Sequence, residues 1–117
     1  MTQGSRWRLA ITSTSPGTVG DVPSFRVTMT LGALRPGVAP EQVQPRAEDA
    51  AREVAVLESS QVDVVRGEAR LTVRFTVEDA ELALQVARHV ATTTGDVVQT
   101  RVVAITERDG GTWRRIG

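Results

Sequence analysis

Ser24-Phe25-Arg26-Val27-Thr28-Met29-Thr30 and Leu71-Thr72-Val73-Arg74-Phe75-Thr76-Val77 alternate polar with apolar residues, and each is followed by the same tripeptide, Glu48-Asp49-Ala50 after the first and Glu78-Asp79-Ala80 after the second. Alternation with a period of two marks a half-buried strand, and the Glu-Asp-Ala segments open stretches with helical spacing. Two β-α-β units in tandem are the simplest arrangement that explains the near-repeat.

The rest of the chain fits around these units. Arg6 to Thr14 alternates Trp7, Leu9 and Ile11 against Arg8, Ala10 and Thr12, which predicts a first strand broken by Ser15-Pro16-Gly17. The next strand covers Ser24 to Leu34 and ends at the turn Arg35-Pro36-Gly37. Val38 to Gln44 reads as a connector. A helix is expected from Pro45, since proline suits a first turn whose N–H groups have no intrahelical partner. Its buried face would carry Ala47, Ala50, Ala51, Val54 and Leu57, and Ser59-Ser60 would end it. Strands are expected at Gln61–Val65 and Glu68–Val77, joined by a tight turn at Arg66-Gly67.

A second helix is expected from Glu78 to Thr94, with acidic residues at its positive end and Gly95 as its stop. Ala80, Ala83, Leu84, Ala87, Val90 and Ala91 make its buried face. Glu81, Gln85, Arg88 and His89 make its wet face, and Leu82 falls among the polar residues as an exposed apolar side chain. A further strand spans Val97 to Thr106. Asp109-Gly110-Gly111 turns the chain into a short edge strand at Thr112 to Ile116. From Ser24 the order is βαββαβ. This predicts a single domain over residues 1–117 of the α+β class: a ferredoxin-like sandwich with an antiparallel sheet and both helices on one face, extended by the N-terminal strand and the C-terminal hairpin strand. That fold serves many unrelated functions, so function has to be argued from side chains.

Composition excludes several classes. The 117 residues carry 14 basic and 14 acidic side chains, for a formal net charge of zero. General nucleic-acid binding, which rests on neutralising phosphates, and polybasic membrane anchoring are not expected. Every basic residue is arginine, as GC-rich coding favours. Met1 to Arg6 has no apolar core of a signal peptide and no apolar run reaches membrane-spanning length, so a cytoplasmic protein is expected.

With no cysteine, disulfides, thiol chemistry and cysteine metal sites are absent. With no lysine or tyrosine, Schiff-base and phenol chemistry are absent too. His89 is the single histidine, the serines lack a nucleophile-elbow context, and the glycines form no dinucleotide fingerprint. Neither a cofactor, a metal site nor a catalytic residue is expected.

What remains is a surface. If the two repeated strands are neighbours, Phe25, Val27, Met29, Leu71, Val73 and Phe75 pack under the helices. Arg26, Thr28, Thr30, Arg70, Thr72, Arg74 and Thr76 then share the opposite face. Arg26, Thr28, Arg70, Thr72 and Arg74 are the candidate ligands for a phosphate or carboxylate. The inward register of both phenylalanines argues against stacking of RNA bases. Trp7 and Trp113, each flanked by arginine, are candidate interface anchors together with Leu82. The expected role is non-catalytic association, as a homo-oligomer (a dimer first) or with a partner protein. Binding of a small anion on the Arg/Thr face is the alternative, and a cofactor-independent enzyme is a more distant one.

Overall fold

A computed structural model describes residues 22–117. The expected strand Arg6–Thr14, and Trp7 with it, lie outside the described residues. The elements run β1 (Ser24–Leu34), a short 3-10 turn (Pro40–Gln42), α1 (Val43–Val54), β2 (Val56–Val65), β3 (Glu68–Thr76), α2 (Ala80–Thr94), β4 (Val98–Asp109) and β5 (Thr112–Arg115). All strand pairings are antiparallel, in the sheet order β2-β3-β1-β4-β5. The described residues are therefore α+β, with one five-stranded sheet and two helices packed side by side over it. No helix among the described residues is long and apolar enough to cross a membrane.

The two near-repeat strands are neighbours at the centre of the sheet. Phe25 pairs with Phe75, Val27 with Val73 and Met29 with Leu71, and all six side chains are fully buried. The Phe25 and Phe75 rings stack with centroids 5.9 Å apart. Ala47, Ala50 and Ala51 of α1 and Ala83, Val86, Ala87 and Val90 of α2 close the core from above. Alanine at these positions lets both helices approach the sheet closely enough to cover large residues on the strands.

Several boundaries differ from expectation, for physical reasons. α1 starts at Val43, inside the expected connector, and Val43 is itself buried. Its end comes sooner, because Ala55 is extended (φ −157°, ψ −179°). Leu57 therefore belongs to β2 and reaches the core from the sheet, paired with Phe75. Residue spacing alone could not separate these alternatives, since three residues past Val54 is an inward position for a helix and Leu57 is inward for the strand as well. Ser59 and Ser60, expected as a helix end, lie within β2. There Ser60 Oγ accepts a hydrogen bond from Gln44 Nε2 at 2.6 Å and donates one to Glu48, tying strand to helix. Val54 is exposed.

α2 starts at Ala80, with Asp79 as N-cap accepting from the Leu82 N–H at 2.9 Å. Its buried face includes Val86, which the expected stripe omits. Thr94 is also buried, donating to Val90 O at 2.7 Å. The β2–β3 turn has positive φ at both Arg66 (54°) and Gly67 (83°), the handedness that matches strand twist. β4 runs on to Asp109 and pairs with β5 over its last four residues, so the C-terminal hairpin does lengthen an edge of the sheet.

Candidate functional site

The face of the sheet away from the helices gathers most of the candidate ligand residues. Arg26 in β1 lies directly between Arg74 in β3 and Thr106 in β4. Two residues further along, Thr28 lies between Thr72 and Ala104, and the Thr28 and Thr72 hydroxyls are 3.5 Å apart. In β2, Ser59 pairs with Arg74 and Gln61 with Thr72. The β4–β5 hairpin then folds Trp113 back opposite Arg108.

The result is a cluster. The guanidinium carbon of Arg26 is 3.9 Å from the centroid of the Trp113 ring, that of Arg74 is 5.2 Å away and that of Arg108 is 5.8 Å away. An indole attracts cations to its face, which explains why each arginine leans towards it. It does not neutralise them. Glu58, at an irregularity in the β2–β3 register, is the one carboxylate ion-paired with the cluster among the described residues. Its Oε1 is 2.6 Å from Arg74 Nε, and its Oε2 accepts from Ser24 Oγ at 3.1 Å. The Arg74–Glu58 approach is close enough for an ion pair but is not aligned as a hydrogen bond, which leaves Arg74 Nε buried without a hydrogen-bond partner. Arg108 Nε donates to Gly110 O at 2.9 Å. Partial burial, followed by the charges of Arg74 and Arg108, pushes the Arg26 pKa below its ordinary value. Arginine stays cationic regardless, so the three charges coexist.

Beside Arg26, Arg74 and Trp113 lies a depression of about 340 Å³, lined by these three with Thr28, Ser59, Ser60, Gln61, Thr72 and Thr106; Arg108 and Glu58 belong to the charged cluster but not to this lining. Two larger grooves, of about 630 and 550 Å³, lie on the helix side and are more apolar. Their lining offers no comparable convergence of charge. The smaller depression is the chemically specific one.

Comparison with known family models, curated proteins and solved structures gave no match.

Of the candidate ligands, Arg26, Thr28, Thr72 and Arg74 line the depression. Arg70 lies four residues from Arg74 along β3, roughly 13 Å away at ~3.3 Å per residue. It sits between Thr30 and Asp63, with its Nε buried and unpartnered. Thr30, expected on a wet face, is buried, with its hydroxyl 3.5 Å from Arg101 O. Trp113 is half-buried beneath Arg26, within the arginine patch. Leu82 is half-buried in the helix layer, where it lines the 550 Å³ groove with Val54 and Val56. His89, placed on the wet face of its helix, is half-buried and bridges to Glu53 of α1 at 2.7 Å.

Arg108, Thr106, Ser59, Gln61 and Glu58 are the site residues that sequence reasoning missed. For Arg108 a signal was present. Continuing the β4 alternation past Thr106, through the Gly110-Gly111 turn, puts Trp113 opposite Arg108. Glu58 had none, because its place depends on a local register shift.

Proposed function

We propose that the protein is a binding module for a small anion, held on the open sheet face by Arg26, Arg74 and Arg108. The observation that carries this reading is the crowding of three guanidinium groups within 6 Å of one indole centroid, with Glu58 as the one carboxylate ion-paired with them among the described residues. Like charges brought this close disfavour the empty site, and an anion reverses the sign of that interaction. Charge-assisted hydrogen bonds from guanidinium to an oxyanion are also among the stronger polar contacts available. The hydroxyls of Thr28, Thr72, Thr106 and Ser59 alongside supply further donors, whereas that of Ser60 is already bonded to Glu48. Glu58 is engaged with Arg74 through its ion pair and with the Ser24 hydroxyl.

The test uses Trp113 as its own reporter. In a Trp7→Phe variant Trp113 is the remaining tryptophan, and its emission senses the arginines stacked on it. Sulfate titrated at constant ionic strength against chloride should change the emission saturably. Adding Arg26→Gln and Arg74→Gln should abolish the change. A sulfate response identical to that of chloride would remove the reading.

A second reading is pairing with another copy through β2. Its outer edge is unpaired among the described residues, and Val62 and Val64 on that strand are 44% and 74% exposed. Free strand edges with apolar side chains are templates for a further strand. The solution mass by light scattering should then fall from dimer to monomer on Val64→Lys. A wild-type monomer at every concentration would exclude it. We further propose that the sandwich is ferredoxin-like. Support comes from the two β-α-β units and the shared helix face, and β5 departs from the strict four-stranded pattern.

A further inference from the structure

We infer that the anion is a dianionic phosphoryl group, as in a phosphate monoester, rather than a carboxylate; this rests on the anion-binding reading above. Charge is the first argument. Arg26, Arg74 and Arg108 bring three positive charges to the indole, and Glu58 returns one negative charge. The excess of two is matched by a phosphate monoester above its second ionisation, whereas a monocarboxylate leaves a positive charge uncompensated.

Geometry is the second argument. A carboxylate is planar and is satisfied by one guanidinium fork. Here three guanidinium groups from three strands lie within 6 Å of one ring centroid. Arg26 and Arg74 are direct cross-strand partners, and Arg108 reaches in from beside β5. Donors arriving from separate strands suit the oxygens of a tetrahedral group, each of which accepts from a different side. The hydroxyls of Thr28 and Thr72, further along the same face, then lie where the ester substituent would extend.

The experiment is calorimetric titration of the full chain with methyl phosphate, sulfate and acetate at about pH 7.5 and about pH 5, at constant ionic strength. The window brackets the second phosphate ionisation near pH 6. The charged groups facing the site are Arg26, Arg74, Arg108 and Glu58, with Arg115 of β5 opposite Thr106 and with Arg70, Arg101 and Asp63 further along the sheet. Sulfate remains a dianion throughout, so its titration reads out any contribution from Glu58 or Asp63. At the higher pH, methyl phosphate and sulfate should bind at least tenfold more tightly than acetate. At the lower pH, methyl phosphate should weaken by about tenfold as roughly nine-tenths of it becomes monoanionic, with sulfate unchanged. Acetate binding as tightly as methyl phosphate would overturn the phosphoryl inference and leave the anion site standing. Methyl phosphate affinity independent of pH would likewise overturn it. No binding of any of the three would remove the anion site as well.

Discussion

Replacing Arg26 with glutamine should leave the unliganded protein as stable as before or more so, although Arg26 is half-buried and sits on an aromatic ring. The ring distances place its guanidinium no more than roughly 9 Å from that of Arg74 and roughly 10 Å from that of Arg108. At those separations each repulsion is worth about 0.5 kcal/mol in bulk water and about 2 kcal/mol at the effective dielectric of a protein surface. Against this relief stands the lost stacking on Trp113, worth about 0.5–1 kcal/mol at an exposed site and about 2 when desolvated. With two such repulsions set against one stack, the balance at low ionic strength lies between no change and a gain of about 2 kcal/mol, at about 4–8 °C in Tm per kcal/mol for a domain of this size. Salt screens the repulsion with a Debye length of about 10 Å at 0.1 M, so added sodium chloride should raise the wild-type Tm more than that of Arg26→Gln. Arg26→Lys keeps the charge and loses the planar stack, and should be the less stable of the two variants. Thermal melts at low and moderate salt check all three statements. A loss of more than about 1.5 kcal/mol for Arg26→Gln at low salt would refute the reasoning, because the arginine would then be a structural element rather than a strained ligand.

Three further outcomes follow from the fold. Phe75→Ala empties a fully buried site stacked on Phe25 and should cost about 3–5 kcal/mol, read as a lower urea midpoint. Arg66 holds a left-handed conformation (φ 54°) that asparagine tolerates better, so Arg66→Asn should raise Tm, by up to about 1 kcal/mol in stability. Asp79→Ala removes the side-chain acceptor for the Leu82 N–H at the start of α2 and should cost about 1 kcal/mol by chemical denaturation.

The centre of this sheet was legible because a single pattern carried it twice. Period-two alternation in β1 and β3 sets the inward side chains of both strands, and pairing Phe25 with Phe75 puts Arg26 beside Arg74. The boundary at Val54–Leu57 was not legible. A β-branched stretch following alanines satisfies helical spacing locally, and pairing with β3 decides the outcome. Val43 was misplaced for a related reason. Proline marks a first turn without saying which position in that turn it occupies, and here it follows two residues that are already helical. Half of the site was visible as an Arg/Thr face. The other half depended on how far β4 continues and where its hairpin returns, which lays Trp113, on the edge strand β5, against the arginines. Glu58 reached Arg74 through a shift in register that periodicity does not encode.

The most direct measurement is chemical-shift mapping of the labelled protein during titration with sulfate. The account predicts saturable shifts confined to the open face: the amides of Arg26, Thr28, Thr72, Arg74, Thr106 and Arg108, and the indole N–H of Trp113. Shifts centred on the helix-side groove around Val43, Gln44 and Val62, or no shifts beyond those produced by chloride, would contradict it.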